Sequence, residues 1–243
     1  MFATSATWPP MEFIDKDGRV SGYAIDYLTA AGKEAGFVAV FNRVPWEGIF
    51  VGLGRGKYDA IVSSVSITPA RKRAMDFSIP YYAICQALVV PARSPATRLE
   101  HLAGRQVGCQ DGTTGFFAVK RVPDVQVAFY ATIDLAFADL RLGRISGVVC
   151  DDPVAAHYVA ESGDVPLKIA VLLEGDDAVE LYGVAVKKNQ NREKLALINR
   201  GIAAVKAKGI DRKLREKWIP APVCASDDPP SAPAAPSAPA LPR

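Results

Sequence analysis

The chain has 243 residues, 49% hydrophobic and 23% charged, the balance of an ordinary soluble globular protein with length for one large domain or two modest ones and a sizeable buried core. A formal net charge of +3 is too weak to argue for nucleic acid, and basic residues cluster only in the short run Arg71-Lys72-Arg73. No apolar stretch is long enough to span a bilayer, and Met1-Phe2-Ala3-Thr4 lacks the basic and long apolar regions of a secretion signal, which leaves a cytoplasmic chain or an already trimmed one.

In chain order, Phe2-Ala3-Thr4 reads as a short strand. The two prolines of Thr7-Trp8-Pro9-Pro10-Met11-Glu12-Phe13 exclude helix and keep Trp8 extended. Phe13-Ile14, the turn Asp15-Lys16-Asp17-Gly18 and Val20-Ser21-Gly22-Tyr23 read as a hairpin. Asp26 to Glu34 is an amphipathic helix with Ile25, Leu28 and Ala31 inward and Gly36 near its end. Phe37 to Val44 alternates like a strand, Glu47 to Arg55 is a helix opened by Trp46, and Tyr58 to Ser64 is a strand. Cys85 to Val90 is a long apolar strand closed by Pro91.

A new block then begins. Leu99 to Gly104 is a short turn or helix, Gln106 to Cys109 a strand, Gly112 to Gly115 a loop, and Phe116 to Val122 a helix stopped by Pro123. Val125 to Tyr130 and Ser146 to Cys150 are strands around a helix from Thr132 to Gly143. Pro153 to Glu161 is a helix, and Leu167 to Leu173 and Leu181 to Val186 are strands. Asn191 to Lys208 is a long amphipathic helix with Leu195, Ile198, Ile202 and Val205 on one face, and Ile210 to Trp218 a last short one. Strands alternating with helices imply a parallel, doubly wound α/β architecture. From Ala225 the chain is proline, alanine and serine, which cannot bury enough surface to offset its ordering entropy and reads as a disordered tail.

Cys85, Cys109, Cys150 and Cys224 show no metal-type pair spacing, and with only His101 and His157 no metal site or cofactor is expected. Cys109 and Cys150 each end an apolar run and could sit on neighbouring strands. They are read as two buried thiols, with a disulfide between them open in an oxidising compartment.

The chemistry concentrates in Ser63-Ser64-Val65-Ser66-Ile67-Thr68-Pro69-Ala70-Arg71. Thr68 is a good helix N-cap and Pro69 a good first helical residue, which places Arg71 in the first turn, where free N–H groups and the helix dipole favour an anion. Its planar guanidinium suits a carboxylate gripped by two parallel hydrogen bonds. The stretch is either a carboxylate receptor or an ordinary strand-to-helix connection with a surface arginine.

Taken together, these pieces resemble the periplasmic amino-acid-binding proteins of ABC importers (solute-binding protein family 3). The similarity runs from about residue 3 to 220. It is carried by Trp8-Pro9-Pro10-Met11-Glu12-Phe13 with Gly22-Tyr23-Ala24-Ile25-Asp26, and by Ser66 to Arg71 with Asp76-Phe77-Ser78-Ile79-Pro80-Tyr81-Tyr82. Leu102 to Gly108 with Gly112-Thr113-Thr114, Leu140 to Arg144 through Asp151-Asp152-Pro153, and Lys217-Trp218 continue it. The resemblance implies a type II periplasmic-binding-protein fold, α/β, with ligand in the cleft between two lobes. Residues 1–88 plus 185–222 would form lobe one, 89–184 lobe two and 223–243 a Pro/Ala-rich tail, with Cys85 to Val90 and Tyr182 to Val186 as hinge crossovers.

It also implies roles. Arg71, assisted by Ser66, would hold the ligand's α-carboxylate, together with the backbone N–H of Thr114. Asp151 and Ser64 would hold the α-ammonium, and Trp8 and Trp46 would sandwich the side chain. Gln110 and Cys150 would complete the pocket, with Glu12 and Glu47 left solvated. The family's binders of basic amino acids carry an acid at the position of Ser5. The serine therefore argues against lysine or arginine and for a neutral polar ligand such as glutamine, with a small aliphatic amino acid second.

The implied protein is a periplasmic monomer whose partners are a free amino acid and the ABC permease of the inner membrane, with no nucleic acid. The absent signal peptide, Met11 where an aromatic is common, and the long tail depart from the family's usual form. A ligand-sensing domain of a larger membrane receptor is the alternative. A dehydratase on the same scaffold is a third reading, disfavoured because no Ser/His/Asp or Cys/His arrangement can be assembled.

Overall fold

In the computed structural model, which describes residues 1–174, 179–219 and Cys224, the first lobe grows around β1 (Phe2–Thr4). After it, β2 (Thr7–Trp8), β3 (Glu12–Ile14) and β4 (Val20–Ser21) form a small antiparallel sheet in which Trp8 stands opposite Glu12 and Phe13 opposite Ser21. Helix α1 (Tyr23–Ala35) starts from Gly22, whose φ of 127° keeps it clear of the hairpin. A Cβ there would lie 2.4 Å from the Met11 carbonyl oxygen. Then come β5 (Phe41–Arg43), α2 (Ile49–Gly54), β6 (Ala60–Ile61), α3 (Pro69–Ala74) and β7 (Met75–Phe77).

Strand β8 (Tyr82–Pro91) leads into the second lobe. A 3₁₀ turn (Leu99–Leu102) precedes β9 (Gln106–Gln110), α4 (Thr114–Lys120), β10 (Gln126–Tyr130) and α5 (Ile133–Arg141). They are followed by β11 (Gly147–Asp151), α6 (Asp152–Ala160) and β12 (Leu167–Leu172). The chain returns through β13 (Val179–Tyr182) to β14 (Ala185–Lys187), α7 (Arg192–Ala207) and α8 (Ile210–Trp218). Apart from Cys224, the expected Pro/Ala-rich tail lies outside the described residues.

Each lobe has its own sheet: β5-β1-β6-β14-β7 in the first and β10-β9-β11-β8-β12 in the second, with β13 added to β8. The two-lobed α/β architecture is as expected, but the sheets are mixed rather than all parallel. Strands linked by helical crossovers within a lobe run parallel (β5, β1 and β6; β10, β9 and β11). Strands β14 and β8 enter from the other lobe, without such a crossover, and pair antiparallel with both neighbours. The run from Leu181 to Val186, expected as one strand, is split at Gly183 between two sheets.

Two expected strands are shorter than their hydrophobic pattern. Of Phe37 to Val44 only Phe41–Arg43 pairs, and of Tyr58 to Ser64 only Ala60–Ile61. In the second case the chain leaves the sheet because Ser64 adopts φ 48°, which turns the serine cluster toward the interlobe space. The two crossover strands pair with each other from Tyr82 opposite Tyr182 to Cys85 opposite Val179.

Cys109 and Cys150 are buried free thiols on the adjacent strands β9 and β11. Val148 pairs with Gly108, so one step on Cys109 stands beside Val149. The two thiols therefore project from opposite faces of the sheet, out of bonding reach. The disulfide joins Cys85 to Cys224, with Cα atoms 5.7 Å apart and a sequence separation of 139, a pairing the spacing did not suggest.

The last helices close the first lobe. Helix α7 crosses α1 so tightly that a Cβ on Gly201 would lie 2.4 Å from the Ala31 carbonyl oxygen. Backbone cannot yield as a flexible side chain does, so the clash should outweigh the gain in helix propensity. Gly201→Ala is expected to lower stability by about 1–3 kcal/mol, read as a lower urea midpoint at unchanged slope.

Candidate ligand-binding cleft

The two lobes meet over a cleft lined by Ser5, Trp8, Glu12, Trp46, Ser63, Ser64, Ser66 and Arg71 from the first lobe, and Gln110, Thr113, Thr114 and Asp151 from the second. Its empty space, counted out into the open mouth, is about 310 Å³.

Arg71 reaches the cleft because its own helix start holds it there. The Thr68 hydroxyl oxygen accepts from the Arg71 backbone N–H at 3.2 Å, the expected N-cap. The guanidinium donates to the Ser66 carbonyl at 3.0 Å and across the cleft to the Gly112 carbonyl at 3.2 Å. It also lies over the rings of Trp46 and Phe50, with the Arg71 Cζ 5.6 and 5.3 Å from their centroids. Burial lowers its pKa, and the negative charges of Glu180 and Asp151 oppose that shift.

Asp151 ends β11 at the N-cap position of α6 yet makes no capping hydrogen bond. Its carboxyl turns into the cleft, where it accepts from the Trp8 indole N–H at 2.8 Å, from the Gln86 amide at 2.5 Å and from the Tyr182 hydroxyl. Burial, reinforced by the charge of Glu180, pushes its pKa up to about 7 despite these donors. Gln86 also lies 3.1 Å from the Thr114 hydroxyl and 3.3 Å from Glu180 Oε1. With two N–H hydrogens it can serve two of its three acceptors at a time.

Of the other expected residues, Thr114 opens α4 behind Thr113, whose hydroxyl oxygen accepts from the Phe116 N–H at 3.2 Å. Its own hydroxyl is 3.5 Å from that of Ser66 in the opposite lobe. Trp46 donates to the Asp111 carbonyl at 3.0 Å, so its ring lies beneath Arg71 and its edge holds the second-lobe loop. Gln110 lines the cleft and is 2% exposed. Cys150 is not among the lining residues: the alternation of β11 that turns Asp151 inward sends Cys150 into the hydrophobic core with Phe137 and Val154.

The larger correction concerns Glu12. Glu47 is exposed as expected, but Glu12 is fully buried. It stands across the hairpin from Trp8, shares that residue's face, and accepts from the Ser64 hydroxyl at 2.8 Å. Its pKa is raised well above the ordinary carboxylate value, first by burial and further by the charge of Asp151, with the Ser64 bond opposing. Ser5 is tied to Ser63: its backbone N–H donates to the Ser63 hydroxyl oxygen at 3.0 Å, and the two hydroxyls share a 2.9 Å hydrogen bond. The missed signal was the cross-strand pairing of Trp8 with Glu12, which a hairpin register supplies.

Acceptors are in surplus. Glu12 Oε1, Gln86 Oε1, Gln110 Oε1 and Glu180 Oε2 are buried without a hydrogen-bond partner among the described residues. Among the described lining residues Arg71 is the cationic side chain, facing Glu12 and Asp151. Such a cleft is built for a molecule that brings one anionic group to Arg71 and several N–H donors to the acids.

The family model described as "Bacterial extracellular solute-binding proteins, family 3" matches residues 1–221. A "Probable histidine-binding protein" of Neisseria gonorrhoeae is 30% identical over 221 residues, covering 89% of this chain and 81% of the relative. An "ABC transporter arginine-binding protein 1" of Escherichia coli (strain K12) is 29% identical over 220 residues, covering 90% of each. Among solved structures, an ancestral arginine-binding protein bound to arginine superposes with a TM-score of 0.83 at 35% identity, covering 90% of this chain and 96% of that one. An ancestral arginine-binding protein bound to glutamine superposes with a TM-score of 0.82 at 36% identity, with the same coverages.

Asp151 ionises near its ordinary value of about 3.9 in the unfolded chain but at about 7 in the folded one. The unfolded state therefore binds fewer protons between those values, and the ligand-free protein loses stability as pH rises through them. Asp151→Asn is expected to shrink the stability difference between pH 5 and pH 8 by about 2–3 kcal/mol. Urea unfolding at the two pH values, without ligand, measures it.

Proposed function

The chain belongs to the bacterial extracellular solute-binding proteins of family 3, and on that premise we propose that it binds a free α-amino acid with a cationic side chain between its lobes and delivers it to the permease of an ABC importer. In this reading each sheet with its helices forms one lobe, β8 entering the second lobe's sheet at Gln86, and the motion that traps ligand is closure about the paired crossovers β8 and β13. The Cys85–Cys224 disulfide fits the oxidising periplasm, and no described helix is long and apolar enough to cross a membrane.

Arg71 takes the α-carboxylate, with Ser66 and the first N–H groups of α4 beside it. Asp151 takes the α-ammonium, and Ser64 assists from the opposite lobe. Because anion and cation sites come from different lobes, the zwitterion itself holds the cleft closed. The observation that carries the ligand class is the buried, underpartnered carboxylate of Glu12. A neutral side chain would leave it either protonated or charged without a counter-ion. A guanidinium or ammonium supplies donors and charge together. The acid absent at Ser5 is thus provided from the neighbouring strand, which replaces glutamine by a basic amino acid as the favoured ligand. The names of the arginine- and histidine-binding relatives support the same choice.

Arg71→Ala is expected to lower affinity for any amino-acid ligand at least 100-fold, about 3 kcal/mol, with the fold intact by circular dichroism. Isothermal titration calorimetry with unchanged affinity would contradict the carboxylate assignment. Glu12→Gln is expected to weaken L-arginine binding at least tenfold while sparing or improving L-glutamine. A thermal-shift screen of the twenty amino acids on both proteins reads the exchange, and stabilisation of the unsubstituted protein by glutamine alone would overturn the cationic reading.

A further inference from the structure

Beside Asp151 stands a second buried aspartate that is not among the residues lining the cleft. Asp152 is 2% exposed. Its Oδ1 accepts the backbone N–H of Cys85 at 2.9 Å and its Oδ2 accepts the backbone N–H of Cys224 at 3.1 Å. Those two cysteines are the disulfide pair, so one carboxylate and one covalent bond fasten the same two backbone positions together.

The place of this cluster in the fold gives it leverage on the site. Cys85 is the last residue of β8 paired with the return crossover, opposite Val179. Its neighbour Gln86 is the first to pair with β11, opposite Asp151. Consecutive residues of β8 therefore hold consecutive aspartates: the Cys85 N–H holds Asp152, and the Gln86 side chain holds Asp151. Cys224 follows α8, which is anchored to the first lobe. Trp218 packs edge-on against Phe13 at 5.8 Å and donates to Asp26 at 2.9 Å, and Lys217 reaches the same carboxylate at 2.7 Å.

We propose that Asp152 is a positioning residue for the ligand site, and that the Cys85–Cys224 disulfide makes Cys224 a latch that holds Asp152, and through it Asp151, in register across the hinge. The latch ties the last helix of the first lobe to the first residues beyond the crossover, a third connection beside β8 and β13. Reduction by a dithiol breaks the Sγ–Sγ bond, with two electrons and two protons from the dithiol giving two thiols and the dithiol leaving as its own disulfide. Cys224 is then free to withdraw its N–H from Asp152. The aspartate loses one donor in a buried setting, and the ligand's ammonium site loosens. This deepens the proposed function and rests on Asp151 being the ammonium site.

The test uses the full chain, oxidised, reduced with dithiothreitol, and as the variants Cys224→Ser and Asp152→Asn. Backbone hydrogen exchange without ligand is expected to lose protection about tenfold at residues 82–86 and 150–155 on reduction, while α1 and α5 keep theirs. Calorimetry with L-arginine is expected to show an affinity about tenfold weaker at unchanged stoichiometry for the reduced protein and for each variant, with no further loss when the two substitutions are combined. Equal exchange in both redox states, or a protection loss spread uniformly over both lobes, overturns the latch. So does additivity of the two substitutions. If the oxidised protein does not bind L-arginine, the cationic ligand class fails, and hydrogen exchange still decides the latch.

Discussion

Burial of negative charge around one guanidinium governs this cleft. Glu12 and Asp151 are both sequestered from water, and Glu180 lies close enough to bias the titration of Asp151 and Arg71. A buried carboxylate without a counter-ion is unfavourable, and the protein answers by raising the pKa of Glu12 and Asp151 and by aiming neutral donors at them. Trp8, Gln86, Tyr182 and Ser64 are those donors. They hold the acids in place without bringing a counter-charge, and in the proposed reading a ligand's cationic group supplies it. In that reading affinity and closure share one origin, because Glu12 and Asp151 sit on opposite lobes.

The same constraint explains the architecture. Opposed sites require lobes that move as units, which two separate sheets and their helices provide. In the proposed reading they also require crossovers that transmit position, and β8 and β13 are paired by backbone hydrogen bonds and by the stacked rings of Tyr82 and Tyr182. Ser64 carries part of the geometry as a positive-φ residue. That conformation is costly for a non-glycine residue and persists when its surroundings fix it. Here it puts a hydroxyl on Glu12.

Local chemistry was legible in the sequence wherever a short-range rule governed it. The Thr68-Pro69 helix start, the hairpin around Asp15 to Gly18 and the bounds of α8 follow from capping and turn residues alone. The convergence of Arg71 with Asp151, about eighty residues apart, came from the ordered motifs of the family resemblance and not from spacing. What escaped were properties set by pairing across distance. Glu12 looks like a surface residue until the hairpin register turns it toward Trp8. Cys150 looks like a pocket residue until the alternation of β11 turns it into the core. The Cys85–Cys224 bond joins positions whose proximity exists only once the last helix has docked on the first lobe. Strand lengths were overestimated for a related reason: apolar alternation reports burial, and Tyr58 and Val62 are buried in the core on either side of the paired residues Ala60–Ile61.

The most direct test of the central claim is the number of protons released when ligand binds at pH 6, measured by calorimetry with L-arginine in buffers of different ionisation enthalpy. Burial raises the pKa of Asp151 to about 7 and that of Glu12 above its ordinary value, so acids that come to face a cation in the complex should shed protons, Asp151 alone accounting for nearly one per ligand at pH 6. Release should be smaller for Glu12→Gln wherever Glu12 contributes. Binding of L-arginine with no net proton release would contradict the account, because the buried acids would then be bystanders to recognition.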